Sequence, residues 1–120
     1  MLIKDIQGFL EDLESSIFLG FIPDEPANVC VINATGGYAP ARIVDGTKTV
    51  EQPTFQVIIR DGDYTSGDAR IQAVVDLLDG YSDETYIHIF RQSEVIPLGK
   101  DEKERSRFSV NFYARYERSV

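Results

Sequence analysis

The fold is decided by the stretch Pro53–Gly80, which reads PTFQVIIRDGDYTSGDARIQAVVDLLDG. Its first part alternates as a strand does, because Phe55, Val57 and Ile59 lie on one side and the residues between them are mixed in character. Turn-forming residues fill positions 61–67, and apolar residues then recur at the spacing of one helix face. The stretch therefore predicts a strand, a polar turn and an amphipathic helix over Ala69–Leu78 that ends at a glycine.

The flanking segments complete the pattern. A helix is predicted over Leu2–Leu19, and strands are predicted over Asn28–Thr35, Thr85–Gln92 and Arg105–Glu117. The unbroken apolar run in the first of these strands indicates cover on both faces. Strands that are not separated by a crossover helix at every step favour the α+β class. We expect a mixed, mostly antiparallel sheet of about four strands packed against two helices, which cover the same sheet face, with an extended hairpin or loop arm.

The last two strands carry the clearest outward-facing side chains. Tyr86, His88 and Phe90 alternate and are expected to share one face, and the two strands should pair antiparallel through a turn that contains Pro97 and Gly99. The final strand turns polar and aromatic residues outward, of types that are enriched at protein interfaces. An ordinary solvated strand face is the alternative. The candidate interface residues here are Arg107, Tyr113 and Arg115.

The least regular segment is 36–52. Together with the preceding threonine it reads TGGYAPARIVDGTKTVEQ. Gly36 and Gly37 should break the strand, and Ile43 and Val44 are expected to form a short strand before an Asp-Gly turn at 45–46. Loops longer than about 12–15 residues are uncommon in compact domains unless they have a function or are mobile. We predict an exposed arm that orders against a partner; a merely flexible loop is the alternative. Its candidate contact residues are Gly36, Gly37, Tyr38, Arg42 and Lys48.

Length and charge restrict the classes of protein. A chain of 120 residues suits one domain, expected to span 1–120. A formal net charge of −8 argues against general affinity for nucleic acid. The single cysteine, Cys30, cannot form an intramolecular disulfide and is expected to be a small buried hydrophobic residue. No apolar run reaches 18 residues, so no membrane span is predicted, and a soluble protein of a reducing compartment is expected.

No catalytic constellation emerges. Asp61 and Asp63 have the first spacing of an EF-hand loop, but the later glycine and glutamate positions do not follow, and Ser66 or Asp68 is expected to cap the helix. His88 is expected to be a structural, hydrogen-bonded histidine. No catalytic, cofactor-binding or metal-binding residue is assigned. Two alternatives remain open: a small acidic enzyme that uses carboxylates such as Asp61, Asp63 or Asp76, and a module that binds a small molecule or nucleic acid.

The order of these segments resembles that of tailed-bacteriophage minor capsid proteins and is similar in plan to phage tail-terminator and tail-completion proteins. The resemblance covers nearly the whole chain and is carried by PTFQVIIR with DYTSGDARIQAVVDLLDG, and by IPLGKDEKERSRFSVNFYARYE. It implies a structural virion protein that forms a ring, often of six subunits, at the tail end or the neck. There it would end the tail tube and join tail to head, with tail-tube and head-completion proteins as partners and DNA as a transient passenger. It implies no catalytic residue, and it implies host cytoplasm as the place of assembly.

Overall fold

The computed structural model describes residues 2–42 and 46–119, and the chain folds there as two helices and six strands. In chain order these are α1 (Leu2–Leu10), β1 (Ile17–Leu19), β2 (Val29–Arg42), β3 (Lys48–Asp61), α2 (Tyr64–Leu78), β4 (Tyr86–Arg91), β5 (Ile96–Lys100) and β6 (Ser106–Ser119). The predicted α+β class is confirmed. The predicted number of about four strands is wrong, because two short strands are added at the borders of the sheet.

The six strands form one sheet in the order β1-β2-β3-β6-β4, and β5 also pairs with β6. Only β1 is parallel to its neighbour, so the sheet is mixed and mostly antiparallel, as expected. Because β3 occupies one edge of β6 along its whole length, β4 and β5 share the other edge. Three long strands, β2, β3 and β6, therefore form the centre of the sheet.

Both helices cover the same face of this sheet, which confirms the expectation from their apolar stripes. Ile6 and Leu10 of α1 and Ile71 of α2 belong to one buried cluster with the inward residues of the strands. The strand residues of this cluster are Cys30, Ile32, Phe55, Val57, Ile59, Ile89, Phe108, Val110, Phe112 and Ala114. The rings of Phe55 and Phe112 stack across β3 and β6 at a centroid distance of 5.2 Å.

The opposite face of the sheet, here called the open face, carries no helix among the described residues but is partly covered near the start of β2. Val29, Val31 and Ile58 form a second buried cluster, with Phe18 of β1 packed against it. This cover explains the unbroken apolar run of β2. Nearby, the buried Arg60 side chain donates hydrogen bonds to the backbone carbonyls of residues 24, 26 and 27 and so fixes the loop that precedes β2.

The predicted first helix, Leu2–Leu19, is too long, since α1 ends at Leu10. The chain then turns, with the backbone N–H groups of Leu13 and Glu14 bonding the Leu10 carbonyl, and Ile17–Leu19 becomes β1. The apolar spacing continues past the turn, but β1 pairs with β2, and this pairing satisfies backbone groups on the border of the sheet. Tertiary pairing thus overrides the helical period.

The second helix begins five residues earlier than predicted, at Tyr64, and neither Ser66 nor Asp68 caps it. Asp63 is the N-cap, and its carboxylate accepts a hydrogen bond from the Ser66 backbone N–H at 2.9 Å. The early start depends on Gly67. A Cβ at this position would lie 2.8 Å from a ring carbon of Phe108, so glycine lets the first helical turn approach the sheet.

Near the end of the chain the structure differs from the predicted alternation in two places. A register shift between Tyr86 and His88 breaks the expected common face, so Tyr86 and Ile89 are buried while Phe90 is exposed. The segment expected to be a turn at Pro97 and Gly99 is instead strand β5, which pairs with β6. A proline is tolerated there because β5 lies at the edge of the sheet. The expected antiparallel pairing of β4 with β6 is confirmed.

Candidate interaction surface

The outer parts of β2 and β3, residues 34–42 and 48–54, form an antiparallel hairpin that extends beyond the helices. The range predicted as an arm, 36–52, falls within it. The strand predicted at Ile43 and Val44 and the start of its turn at Asp45 lie outside the described residues. The end of β6 pairs with the hairpin, from Lys48↔Ser119 onward, and Lys48 lies 3.4 Å from Glu117 in an ion pair. The hairpin is therefore supported by a third strand.

Gly36 and Gly37 do not end β2 but allow it to continue through a register shift. Both have positive φ, +93° and +135°, which side chains other than glycine rarely adopt. At Gly37 a Cβ would also lie 2.4 Å from the Gln52 carbonyl oxygen, on the paired strand. These two predicted contact residues thus shape the hairpin from within its backbone.

The outer edge of β2 along the hairpin is open to pairing in the described part of the chain. β1 pairs with β2 only at Cys30–Ile32, and the hydrogen bond from the Gly20 N–H to the Ile32 carbonyl is the last one along that edge. From Asn33 to Arg42, no strand among the described residues pairs with this edge. An edge of this kind offers backbone donors and acceptors to another chain.

Three predicted interface residues meet in one place, a cleft of about 310 Å³ on the open face. This aromatic cleft is lined by Tyr38, Arg91, Gln92, Tyr113 and Arg115. Tyr38 reaches it from the hairpin, and its hydroxyl accepts a hydrogen bond of 2.8 Å from the Gln92 side-chain amide. The Arg115 guanidinium lies 5.2 Å from the centre of the Tyr113 ring, within the range of a cation–π contact.

Two residues of β4 flank the aromatic cleft and were not among the candidates. The His88 ring lies 4.5 Å from the Phe90 ring and 5.8 Å from that of Tyr113. Burial, and then the positive charge of Arg115, lower the pKa of His88, so the imidazole is neutral at neutral pH. The expected hydrogen-bonded role of His88 is replaced by ring packing. The register shift in β4 places these rings beside Tyr113, and no feature of the sequence pattern indicates such a shift.

The aromatic cleft also contains an unsatisfied donor. Nη1 of Arg115 is buried and has no hydrogen-bond partner among the described residues. A buried donor without a partner destabilises a fold by about 1–3 kcal/mol. Two other buried guanidinium groups are bonded: Arg60 to backbone carbonyls and Arg105 to Asp101 and the Asp24 carbonyl. Arg115 differs from these two in having a buried guanidinium nitrogen without a partner in the described part of the chain, a property that it shares with Arg107.

The remaining candidates lie elsewhere. Arg107 is eight residues before Arg115 on the same strand, roughly 26 Å away at about 3.3 Å per residue. Its Nη2 donates to the Leu98 carbonyl at 3.3 Å, while its buried Nε has no partner in the described part of the chain. Arg42 is exposed near the end of the hairpin, opposite Thr49. The structure thus brings Tyr38, Tyr113 and Arg115 together and keeps Arg107 and Arg42 apart from them.

The acids proposed for an enzyme serve structural roles. Asp61 is buried, forms an ion pair of 3.0 Å with Arg70, and accepts the Asp63 backbone N–H, while Asp63 caps α2. Arg70 also pairs with the buried Glu14, so it joins the turn after α1 to the end of β3. Asp76 is exposed on α2. These carboxylates do not converge on a common cleft.

Within residues 2–42 and 46–119, no group of three or more His, Cys, Asp or Glu side chains could hold a metal ion. None of the helices described there is long and apolar enough to cross a membrane. Cys30 is buried as expected, and burial together with the charge of Glu14 raises the pKa of its thiol to about 12.

Comparison with known proteins identifies the class. Residues 6–118 match a family described as bacteriophage tail terminator protein. Among solved structures, 20 chains match, and one belongs to the virion of a native gene transfer agent particle. That chain is 16% identical with a TM-score of 0.56, over 92% of this chain and 84% of that chain, which shows a shared fold. A search of curated proteins finds no match.

The family match spans almost the whole chain and confirms the tail-terminator resemblance that the sequence pattern carries. It also argues against the two open alternatives, an acidic enzyme and a ligand-binding module, because the family is one of structural tail proteins. The chain belongs to the bacteriophage tail terminator protein family.

Proposed function

We propose that copies of this chain form a closed ring, of six subunits, at the end of the tail tube or at the neck of a virion. The ring stops polymerisation of the tube and joins tail to head through protein contacts alone, with tail-tube and head-completion proteins as partners, and assembles in the host cytoplasm. The observation that carries this proposal is a hairpin with a bare edge, held out from the body of a chain of the tail terminator family.

The shape of the molecule supports contacts of the head-to-tail kind. It measures 54 × 23 × 22 Å, and the hairpin lies toward one end of the long strands. A ring requires each subunit to present one surface to a different surface of its neighbour. The hairpin edge of β2 supplies one such surface, and the sheet border formed by β4 and β5 supplies the other. Every residue of β5 is exposed, including Ile96 and Leu98.

The charge of the chain supports a passive role toward DNA. With a formal net charge of −8, a ring of these subunits has no general means of retaining phosphate backbones. DNA would pass through the ring as a transient passenger. The assignment of Arg42, Lys48 and Arg107 as contact residues belongs to this proposal, with protein rather than DNA as the partner.

The test is removal of the hairpin. The hairpin range 36–52, together with Pro53, is replaced by an Asn-Gly turn that joins Thr35 to Thr54, a connection suited to two antiparallel strands. Thr35 and Thr54 already share a hydrogen bond of 2.7 Å at this level, and the buried core is left intact. We expect a folded monomer by native mass spectrometry, and loss of tail joining in a complementation assay. Normal joining by this variant would exclude the hairpin as an assembly element.

A matched pair of point variants tests hairpin geometry without deleting it. Gly36→Ala and Gly37→Ala both place a side chain at positive φ, but only the Cβ at Gly37 meets backbone of the paired strand. We expect Gly37→Ala to weaken self-association more than Gly36→Ala does, since the clash must displace β3. Equal effects of the two substitutions would show that the register of the hairpin is unimportant for the ring.

A further inference from the structure

We propose that the aromatic cleft receives a carboxylate from the helix layer of a second copy of this chain. Neighbouring subunits then pack the open face of one against the helices of the next. The inference rests on the proposed ring and deepens it, because it adds a side-chain contact to the pairing of sheet edges and names the chemistry of its recognition.

The cleft side of the contact offers one unpaired cation. Arg115 has a partly exposed side chain and forms no ion pair among the described residues. Arg91 lines the same cleft but is already paired with Asp79 and Glu94. The Tyr113 ring lies beside Arg115, and the Tyr38 hydroxyl is held over the cleft by Gln92. Guanidinium groups bind carboxylates through two parallel hydrogen bonds, which Arg115 can supply through nitrogen atoms other than the buried Nη1.

The opposite side of the molecule carries the acids. The helix layer, defined as α1 with the turn after it and α2, has outward carboxylates that no described cation neutralises by an ion pair. They include Glu11, Asp12, Asp68 and Asp76. The basic residues of the layer are Lys4 and Arg70, and Arg70 is already bonded to Glu14 and Asp61. Exposed apolar side chains, Leu13 and Leu77, stand next to Asp12 and Asp76.

The two surfaces are complementary and lie on opposite faces of the sheet. The open face offers the unpaired Arg115 guanidinium among aromatic rings, and the helix layer offers carboxylates among leucines. A chain cannot join its own two faces, so the contact must be made with another molecule. Opposite faces that attract each other give a head-to-tail contact, and such contacts close into rings when the rotation between subunits allows it. A second copy is therefore the occupant that this charge distribution favours.

The first test is charge reversal on each surface with matched controls. Arg115→Glu changes the cleft, and Lys103→Glu makes the same change of charge at an exposed site in the loop between β5 and β6, away from the cleft. Asp12→Lys with Asp76→Lys reverses the helix layer, and Glu25→Lys with Glu102→Lys is the control in exposed loops. We expect each surface variant to raise the dissociation constant for self-association about thirtyfold or more. The controls should remain close to wild type.

The decisive test mixes the two surface variants. In an alternating ring, the carboxylate introduced by Arg115→Glu in one variant faces the lysines introduced into the helix layer of the other, and the native cleft faces the native acidic layer. Each variant alone should stay monomeric by native mass spectrometry, and an equimolar mixture should recover rings that contain both chains in equal number. Recovery also proves that both variants are folded.

The outcomes separate this inference from the proposed function. A wild-type ring that survives Arg115→Glu, or variants that fail to associate when mixed, would overturn the carboxylate contact and leave the ring standing. A wild-type chain that remains monomeric up to millimolar concentration would overturn the ring and the contact together. Association of the Arg115→Glu variant only with a tail-tube or head protein would reassign the cleft to that partner and overturn the contact between copies.

Discussion

The close approach of Gly67 to Phe108 predicts that alanine at position 67 lowers the stability of the protein, although alanine usually stabilises a helix relative to glycine. In Gly67→Ala, the new methyl group would lie 2.8 Å from Phe108 Cε2 and 3.0 Å from Asp61 Cβ. Phe108 is 1% exposed and its ring packs against Tyr64 at 5.0 Å, so it cannot rotate away freely. Overpacking of this kind destabilises by about 1–3 kcal/mol.

The helix itself opposes this effect. Replacing glycine by alanine inside a helix stabilises it by about 0.5–1 kcal/mol, because glycine loses more backbone freedom on folding. The net prediction for Gly67→Ala is a loss of about 0–2.5 kcal/mol in the free energy of unfolding. For a domain of this size, each 1 kcal/mol corresponds to roughly 3–6 °C in melting temperature.

Gly8 provides the control, since it lies in α1 with ordinary φ and nothing within 4 Å of its missing Cβ. Gly8→Ala should gain about 0.5–1 kcal/mol. Urea unfolding followed by circular dichroism measures both variants, and an unchanged slope with urea shows that the comparison is one of stability. If Gly67→Ala is stabilised as much as Gly8→Ala, the close approach of α2 to Phe108 is wrong.

Three further predictions concern buried charges and the thiol. Arg70→Ala should lower the free energy of unfolding by about 3–5 kcal/mol in urea titrations, because it leaves the buried carboxylates of Glu14 and Asp61 without a cation; a loss below about 1 kcal/mol would show that water screens the pair. Burial by itself would raise the pKa of Asp101. Hydrogen bonds from the Arg105 backbone and side chain and from the Lys103 N–H outweigh it and lower that pKa to about 2. The stability that charged Asp101 contributes is therefore complete above the ordinary pKa near 3.8 and is lost as the pH falls toward 2. Asp101→Asn should accordingly be less stable than wild type at neutral pH, and this difference in the free energy of unfolding should vanish in acid. Cys30, buried and with its pKa raised to about 12, should resist Ellman's reagent in the native protein and react fully in denaturant, and rapid native reaction would contradict its burial.

Much of the fold could be predicted because the central elements are decided by their own residues. The alternation of Phe55, Val57 and Ile59 predicts β3, and the helical spacing of Ile71, Val74 and Leu78 predicts α2. The paired faces of β6 follow in the same way. In each case one side of a regular element is buried, so the period in the sequence and the period in the structure coincide.

The errors fall where neighbours in space decide the structure. The apolar residues after Leu10 keep a helical spacing, but Ile17–Leu19 pairs with the edge of β2 as a parallel strand. At β5, Pro97 and Gly99 are typical of a turn, yet the edge of β6 accepts this segment as a strand. The local sequence of β1 or β5 cannot predict that a free sheet edge is available, because each edge is formed by strands that are distant in the chain.

The candidate site was partly predictable for the same reason. Tyr113 and Arg115 follow from the alternation of β6, and Tyr38 from its place in the irregular segment. Their meeting in one cleft depends on Gln92, which holds the Tyr38 hydroxyl, and on the register shift that brings Phe90 beside Tyr113. A partner 54 residues away along the chain and a register shift within one short strand leave no periodic signal.

The hairpin combines an available edge with features that limit indiscriminate pairing. Its β2 strand contains two register shifts and a proline at Pro40, which cannot donate a backbone hydrogen bond. Such an edge pairs poorly with an arbitrary strand, and an assembly protein must avoid self-aggregation before its partner is present. Backbone hydrogen bonds alone would therefore not fix one register between this edge and another strand. The contact that sets the orientation of neighbouring subunits must come from side chains, and the aromatic cleft lies where Tyr38 connects the hairpin to the open face. A charge-specific contact at that junction would let the edge pair only when the correct neighbour has already docked.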